Sequence, residues 1–453
     1  MDYRGKKVMI VGMAKSGIAS ARLLLDHGAR VVLYDAKTED EFPSGALDAF
    51  KGRAEFALGA DPGPVAEAAD ALILSPGVPT NLDFITKAQR DGKKVIGEIE
   101  LGFLFSQAEF VAITGTNGKT TTTALTGEIF KNAGFNTFVL GNIGVPIAAE
   151  ADKTRKGDIV VAETAALQLE TIETFRPHAC TVLNITEDHL NRYGTMENYI
   201  AAKARIYENQ TAGDFCVLNY DNGITRGMAK QPRSRIIWFS RQVELDFGVF
   251  IEEGNIVSAE DGGKHVICRP DEVKIPGVHN LENALAATAL ARCYRIPPDV
   301  IRHTLMTFPG VEHRIEFVRE LDGVRYINDS KGTNPDATEK AAAAMTRPTV
   351  IIMGGYDKNS SFEQLIAGFG DNIRAIVAIG DTQKKILSDA AKAGFKNIYT
   401  ADSFEEAVLK SREIAQEGWN VLLSPACASY DMFTDFEERG RVFKSIVNSF
   451  QGG

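Results

Sequence analysis

The chain has 453 residues, and with 50 Lys plus Arg against 60 Asp plus Glu its formal net charge of −10 offers nucleic acid no general attraction. A content of 44% hydrophobic and 24% charged residues suits several packed cores rather than disorder, and the length predicts two or three domains, three being the working number. Cys180, Cys216, Cys268, Cys293 and Cys427 are widely spaced and form no zinc-knuckle or redox pair, no apolar run reaches the ~18 residues of a membrane span, and the start has no signal-peptide pattern. A cytoplasmic monomer with reduced thiols, no membrane span and no nucleic-acid partner is the expectation.

In chain order, residues 8–11 read as a buried strand, with Gly12, Ser16 and Gly17 at the entrance of a helix running to about His27. A second strand over 31–34 ends at Asp35. Strand, glycine turn, helix and strand make a Rossmann-like half, with Asp35 where a ribose or base contact is often made; the Gly12-x-x-x-Ser16-Gly17 spacing lacks the usual third glycine, so a plain tight turn stays open. A further strand over 72–74 runs into Ser75-Pro76-Gly77, and Val95 and Ile96 close this domain.

A second α/β unit begins near Gly97. Its strand over 111–113 runs into Thr114-Gly115-Thr116-Asn117-Gly118-Lys119-Thr120-Thr121, and a helix continues to about Asn132 before Gly134 stops it. Strands are predicted over 159–162 and 181–185, sheet at the margin over 216–275, an alanine-rich helix over 284–293, and a helix followed by a boundary over 297–309. A third unit has strands over 326–328, 349–353, 375–379 and 421–423, and connections of this length favour right-handed crossovers and a mostly parallel sheet. The fold class is therefore α/β in three domains: Rossmann-like over 1–97, a central P-loop mononucleotide-binding domain over 98–309, and a Rossmann-like C-terminal domain over 310–453.

Gly115-Thr116-Asn117-Gly118-Lys119-Thr120 is the sharpest local signal. Glycines let backbone N–H groups converge on phosphate oxygens, the helix N-terminus adds positive potential, Lys119 reaches the terminal phosphates, and Thr120 can ligate Mg²⁺. The loop is shorter than the general pattern, which wants glycine where Ile113 stands. Glu163 ends an apolar strand, either as a Mg²⁺ ligand or as an ordinary strand-end carboxylate. His189 follows Glu187 and Asp188 in a turn-like run, where it can ligate a metal, cap or pack. Lys203 falls in a helix over 198–207, and periodicity alone reads it as solvated.

Taken together, the ordered motifs resemble the Mur ligases over essentially the whole chain. The resemblance rests on 114–121, Leu140-Gly141-Asn142-Ile143-Gly144, Gln168-Leu169-Glu170, and Asn184-Ile185-Thr186-Glu187-Asp188-His189. It continues through Ala202-Lys203, Gly277-Val278-His279-Asn280 with Asn283, His313-Arg314, and Asn328-Asp329-Ser330-Lys331-Gly332-Thr333-Asn334. Gly354-Gly355 with Lys358 and the closing Ser424-Pro425-Ala426-Cys427-Ala428-Ser429, with Asp431, Phe433 and the 436–440 run, complete it. The close points to the member that adds D-glutamate to UDP-N-acetylmuramoyl-L-alanine.

The resemblance implies that ATP is held by Gly115, Thr116, Asn117, Gly118, Lys119, Thr120 and Thr121, helped by Asn280, Asn283, Arg314, Asp329 and Lys331. It implies Mg²⁺, two ions, on Thr120, Glu163, His189 and a carbamylated Lys203, which overrides the periodicity reading of that lysine. Catalysis is assigned to Lys119, Glu163, His189 and Lys203. Lys15, Ser16, Asp35, Ser75, Gly77 and Asn142 are expected around the UDP-sugar, and Thr333, Lys358, Ser429 and Phe436 around D-glutamate, with the third domain closing to complete the amino-acid site. The implied chemistry is an acyl phosphate, then a tetrahedral intermediate. One departure stands out: the family usually has Ser-Ser-Phe before Gln-Leu-Glu, and this chain has Ala165-Ala166-Leu167. The alternatives are a related Mur or folylpolyglutamate-type ligase with another acceptor, or a nonenzymatic nucleotide switch.

Overall fold

Three sheets form in chain order in the computed structural model, which describes residues 2–452 apart from Ser44, Ile143, His189, Asp261, Lys358 and Asn359, and omits the side chains of Leu190 and Asn191. The first contains β1 (Lys7–Val11), β2 (Arg30–Asp35), β3 (Glu55–Leu58), β4 (Ala71–Leu74) and β5 (Lys94–Gly97), all parallel in the order β3-β2-β1-β4-β5. Alternate residues of β1 serve two cores. Val8 and Ile10 pack with Leu23 and Leu24 of the helix Lys15–Asp26, whereas Met9 and Val11 pack with Ile85 and Ala88 of the helix Asp83–Arg90. The strand order reverses at β1 and β4, and the crevice beyond the carboxyl ends of such strands is where open α/β sheets take ligands.

The second sheet has β6 (Glu109–Thr114), β7 (Thr137–Gly141), β8 (Ile159–Glu163), β9 (Ala179–Val182), β10 (Phe215–Asn219), β11 (Arg235–Ser240), β12 (Gly248–Glu252), β13 (Asn255–Glu260) and β14 (Gly263–Cys268). Its order is β14-β13-β12-β11-β10-β9-β6-β8-β7, parallel from β7 through β12 and antiparallel at β12-β13-β14. The strand leading into the phosphate loop, β6, is an interior strand, third from the β7 edge. Beyond β10 the short β-like runs extend this same sheet, as the sequence suggested.

The third sheet has β15 (Glu316–Leu321), β16 (Val324–Asn328), β17 (Thr349–Gly354), β18 (Ile373–Ile379), β19 (Ile398–Thr400) and β20 (Asn420–Leu423), in the order β15-β16-β20-β17-β18-β19. Only the β15–β16 hairpin is antiparallel. Because β16 and β20 are parallel neighbours, the loops that follow them, carrying Asp329 to Thr333 and Ser424 to Ser429, leave the sheet side by side.

Four strands escaped the sequence reading: β3, β7, β15 and β19. All four are sheet edges, and their residues are mostly exposed or half-buried. An edge strand is not covered on both faces, so it lacks the continuous apolar run by which a central parallel strand is recognised.

After β5 the helix Glu98–Phe105 is tied to the second sheet's surroundings by two buried carboxylates. Glu100 accepts from the N–H groups of Glu173, Thr174 and Phe175 at 2.8–2.9 Å and from Thr174 Oγ1 at 2.5 Å. Glu98 accepts from Ala148 N–H at 2.7 Å, and burial raises its carboxyl to about 7. By contacts the chain divides into two compact units, Met1–Val273 with Glu282–Met306, and Lys274–Leu281 with Thr307–Gly453. Among the described residues no helix is long and apolar enough to cross a membrane.

Candidate active site

In the first unit, β6 delivers the loop 115–118 to the N-terminus of the helix Lys119–Asn132. Gly118 sits at φ +83°, and a Cβ there would overlap Asn283 Oδ1, so both the backbone and its neighbour demand glycine. The loop is braced from the segment after β9. Asn184 Oδ1 accepts from Asn117 N–H at 2.9 Å and Asn184 Nδ2 donates to Asn117 O at 3.2 Å. Thr116 Oγ1 donates to Thr186 O at 3.2 Å and accepts from Thr186 N–H at 3.1 Å. Asn283 reaches the helix itself, accepting from Thr122 Oγ1 at 3.2 Å.

Two lysines converge on this loop. Lys119 Nζ donates to the carbonyls of Gly115 at 3.0 Å and Thr116 at 2.8 Å, and Lys203 Nζ donates to the same Gly115 carbonyl at 2.9 Å. Lys203 comes from the helix Met196–Ala204, is 2% exposed, and lies 4.6 Å from the centre of the Tyr199 ring. Periodicity read it as solvated; the structure overturns that reading, because tertiary packing against the loop buries this face of the helix. Burial first, and the Lys119 charge second, hold its ammonium well below the usual lysine range, against a smaller opposing pull from Asp188.

Glu163, the last residue of β8, is 2% exposed. Its Oε1 accepts from Asn142 Nδ2 at 2.9 Å, while Oε2 is buried without a hydrogen-bond partner among the described residues. A buried carboxylate oxygen left this way is costly unless a cation or donor reaches it. Thr120 and Thr121 are buried at the start of the loop helix. A carboxylate oxygen and a threonine hydroxyl are ligands of the kind a hard divalent cation takes, so the residues fit Mg²⁺. His189, the expected third ligand, lies outside the described residues. At Ala165-Ala166-Leu167 the helix Ala166–Leu169 starts with Gln168 Oε1 accepting from Ala165 N–H at 2.9 Å, so the local turn forms without hydroxyls.

At the carboxyl edge of the first sheet, Gly12, Asp35 and Ser75 come together. Ser75 Oγ donates to Gly12 O at 2.8 Å, and Asp35 accepts from the N–H groups of Met13 at 2.8 Å and Lys37 at 3.1 Å. A Cβ on Gly17 would overlap Gly12 O, which explains a glycine at that spacing. Lys15 is exposed and Ser16 half-buried at the first turn of the helix Lys15–Asp26, whose N-cap, Ala14, offers no side-chain acceptor to the turn. Gly77 is exposed with no atom near its would-be Cβ, so no steric reason fixes it.

In the second unit the loops after β16 and β20 are joined by hydrogen bonds. Asp329 is 4% exposed; its Oδ2 accepts from Ser424 Oγ at 2.7 Å and its Oδ1 from Ile315 N–H at 3.2 Å. Burial raises its carboxyl to about 6, against the opposing Arg314 charge and the Ser424 bond. Arg314 Nε is buried without a partner among the described residues. Lys331 Nζ lies 5.5 Å from the centre of the Phe436 ring, Thr333 is half-buried, and Ser429 is 2% exposed. Asn280, also in this unit, is 5% exposed and donates to Pro276 O at 2.6 Å. Lys358 lies outside the described residues.

Residues 6–97 match the model described as Mur ligase MurD-like, N-terminal domain; 113–291 match the Mur ligase middle domain; 313–427 match the Mur ligase glutamate ligase domain. The UDP-N-acetylmuramoylalanine--D-glutamate ligase of Pelotomaculum thermopropionicum is 49% identical over 100% of this chain and 99% of its own. The chain belongs to the Mur ligase family. The ligase of the same description from Clostridioides difficile is 46% identical over 100% of both chains. Among solved structures, UDP-N-acetylmuramate-alanine ligase from Thermotoga maritima matches with a TM-score of 0.61 at 20% identity, covering 98% of this chain and 99% of that one. A Thermotoga maritima MurF ligase in complex with ADP matches with a TM-score of 0.59 at 16% identity, covering 92% and 95%. These two establish the three-domain α/β fold.

For this Mur ligase, the sequence assigned the residues of the phosphate loop but not their supports. Asn184 and Thr186 belonged to a quoted family motif without a role, and their bonds to Asn117 and Thr116 supply one. Tyr199, which lies under Lys203 and approaches Thr116 Oγ1 at 3.3 Å, had no sequence signal beyond its apolar helix. Ser424, bonded to Asp329, was visible only as part of the closing motif.

Proposed function

We infer that this Mur ligase joins D-glutamate to UDP-N-acetylmuramoyl-L-alanine with cleavage of ATP, a step of peptidoglycan synthesis. The observation that carries this reading is identity of 43–49% over essentially the full length to ligases of that description. We place it in the cytoplasm and acting as a monomer.

The substrate's L-alanine carboxylate is a poor electrophile, so its oxygen first attacks the γ-phosphate of ATP, forming an acyl phosphate as the bond to the β,γ-bridging oxygen breaks and ADP leaves. The backbone N–H groups of Gly118 and of the helix start at Lys119 cradle the phosphates, and the Lys119 ammonium, already at the loop carbonyls, meets the charge that develops on the transferred group. The D-glutamate amine then attacks the carbonyl to form a tetrahedral intermediate, which collapses as the bond from carbon to the phosphate oxygen breaks, the electron pair leaving with phosphate and the nitrogen giving up a proton. Orientation and exclusion of water decide whether the amine or hydrolysis wins.

Magnesium, held by Glu163, Thr120, His189 and the carbamate of Lys203, supplies charge neutralisation on the phosphoryl oxygens when bound. The support for Glu163 is its buried oxygen, which has no hydrogen-bond partner among the described residues. The support for carbamylation is the lowered Lys203 ammonium, since the neutral amine is what reacts with CO₂. Asn280, Asn283, Arg314, Asp329 and Lys331 serve ATP, with Arg314 Nε a buried donor suited to an anion. Lys15, Ser16, Asp35, Ser75, Gly77 and Asn142 serve the UDP-sugar; Thr333, Lys358, Ser429 and Phe436 serve D-glutamate.

An acceptor panel with UDP-N-acetylmuramoyl-L-alanine and ATP, reading phosphate release and product mass, tests the reading. D-glutamate is expected to give product at the highest kcat/KM. Product with another amino acid in preference to D-glutamate would reassign the acceptor.

A further inference from the structure

Arg439, on the helix Phe436–Ser449, is fully buried, and none of the roles assigned above uses it. Its Nε donates to Ser330 Oγ at 2.9 Å and its Nη2 to Ser330 O at 2.8 Å. Both Nη atoms donate to Cys427 O at 3.2 Å, and Nη1 also to Ala428 O at 3.3 Å. Ser330 Oγ in turn donates to Phe436 O at 2.8 Å. One side chain thus links three stretches: the loop after β16, between Asp329 and Lys331; the loop after β20, immediately before Ser429; and the helix start bearing Phe436.

The acceptors are all neutral. Among the described residues Arg439 forms no salt bridge, and the acidic side chains that feel its charge, the Cys427 thiol, Asp431 and Asp329, do so from beyond bonding distance. Burial lowers this guanidinium to about 10, the cost expected of a cation placed among uncharged groups. An apolar side chain fills volume without that cost. What a guanidinium adds is a planar fork whose N–H directions are fixed, and such a fork sets a distance between the groups it bridges.

We propose that Arg439 is a positioning residue for the amino-acid substrate, fixing the loop that carries Thr333 against the loop that carries Ser429 and against Phe436. The inference rests on the reading that these three residues frame D-glutamate. It predicts a selective defect: the amino-acid site loosens, while the UDP-sugar site, assigned to the first sheet and Asn142, does not.

The test uses Arg439→Met, Arg439→Lys and, as a milder variant that removes one bridge, Ser330→Ala. The wild-type chain is assayed first, and failure to form product with D-glutamate sinks the functional reading. With an active wild type, Arg439→Met is expected to raise the D-glutamate KM about tenfold or more, and Ser330→Ala less, with the UDP-sugar KM within about twofold. Arg439→Lys, which keeps the charge but not the fork, is expected to recover only part of the loss. Hydrogen exchange on the full chain should quicken over 328–333 and 424–431 and stay unchanged over 114–122. An unchanged D-glutamate KM, an equal rise in both KM values, or unchanged exchange in the two loops overturns the proposal. Should Arg439→Met not fold, Ser330→Ala decides by the same criteria.

Discussion

The phosphate loop and the paired loops after β16 and β20 both leave the carboxyl ends of parallel strands, yet they are held in opposite ways. The first is one short stretch, 115–118, shaped by glycine conformations and flanked by its own strand and helix. The second is assembled from residues about a hundred positions apart, such as Asp329 with Ser424 and Ser330 with Arg439. A contiguous loop derives its shape largely from local backbone freedom, with Asn184 and Thr186 bracing it from outside; a composite one derives it from buried polar bonds that exist only after the sheet has formed. The two should therefore respond differently to substitution.

The largest effect is expected at the proposed D-glutamate site, to which the composite loops would contribute Thr333 and Ser429. An ammonium paired with a carboxylate out of water is worth roughly 2–5 kcal/mol, so Lys358→Ala should raise the D-glutamate KM by a corresponding factor and move the ATP KM much less. Steady-state kinetics showing the reverse places Lys358 on the nucleotide. In the contiguous site, Lys203→Ala should lower kcat by about 10²–10³-fold, the scale of losing one charge-organising group at a reaction centre. Added short carboxylic acids should restore part of that rate. Near-normal turnover of this variant would remove Lys203 from the chemistry.

Stability offers a smaller and pH-dependent contrast. Asp329 ionises near 3.8 in the unfolded chain and near about 6 when folded, so between those values the folded state holds the extra proton and stability falls as pH rises. The loss is complete above the folded value, about 3 kcal/mol, and absent below about pH 4. Asp329→Asn escapes it, since its amide oxygen can accept from Ile315 N–H and its amide nitrogen can donate to Ser424. Urea unfolding should therefore show the variant gaining on the wild type between about pH 4 and 7; a constant difference refutes the buried-acid account.

The smallest effect belongs to the loop. Gly118→Ala places a side chain at φ +83° and against Asn283, a strain of about 1–3 kcal/mol. Combining it with Asn283→Ala should relieve the steric share and leave the backbone share, which separates the two in one thermal-denaturation series.

Legibility followed the same divide. Central strands and the phosphate loop were readable because burial on both faces and glycine punctuation are written into consecutive residues. Edge strands such as β3 and β15 were not, because none of their side chains is fully buried. Lys203 could not be placed by periodicity, since alanines flank it on a helix whose buried face depends on what packs there; only family resemblance pointed inward. Arg439 gave no signal of its own role, as its partners are mostly backbone carbonyls of segments remote in sequence.

From sequence alone came the α/β class, three domains, the phosphate-binding loop and the order of motifs, all properties of local patterns that repeat with the period of strands and helices. The tertiary structure decided which Glu163 oxygen stays without a partner among the described residues, that Lys119 and Lys203 share the Gly115 carbonyl, and that Arg439 bridges two loops. Those are matters of distance and desolvation between residues far apart in the chain, and neither quantity exists until the sheets have brought them together.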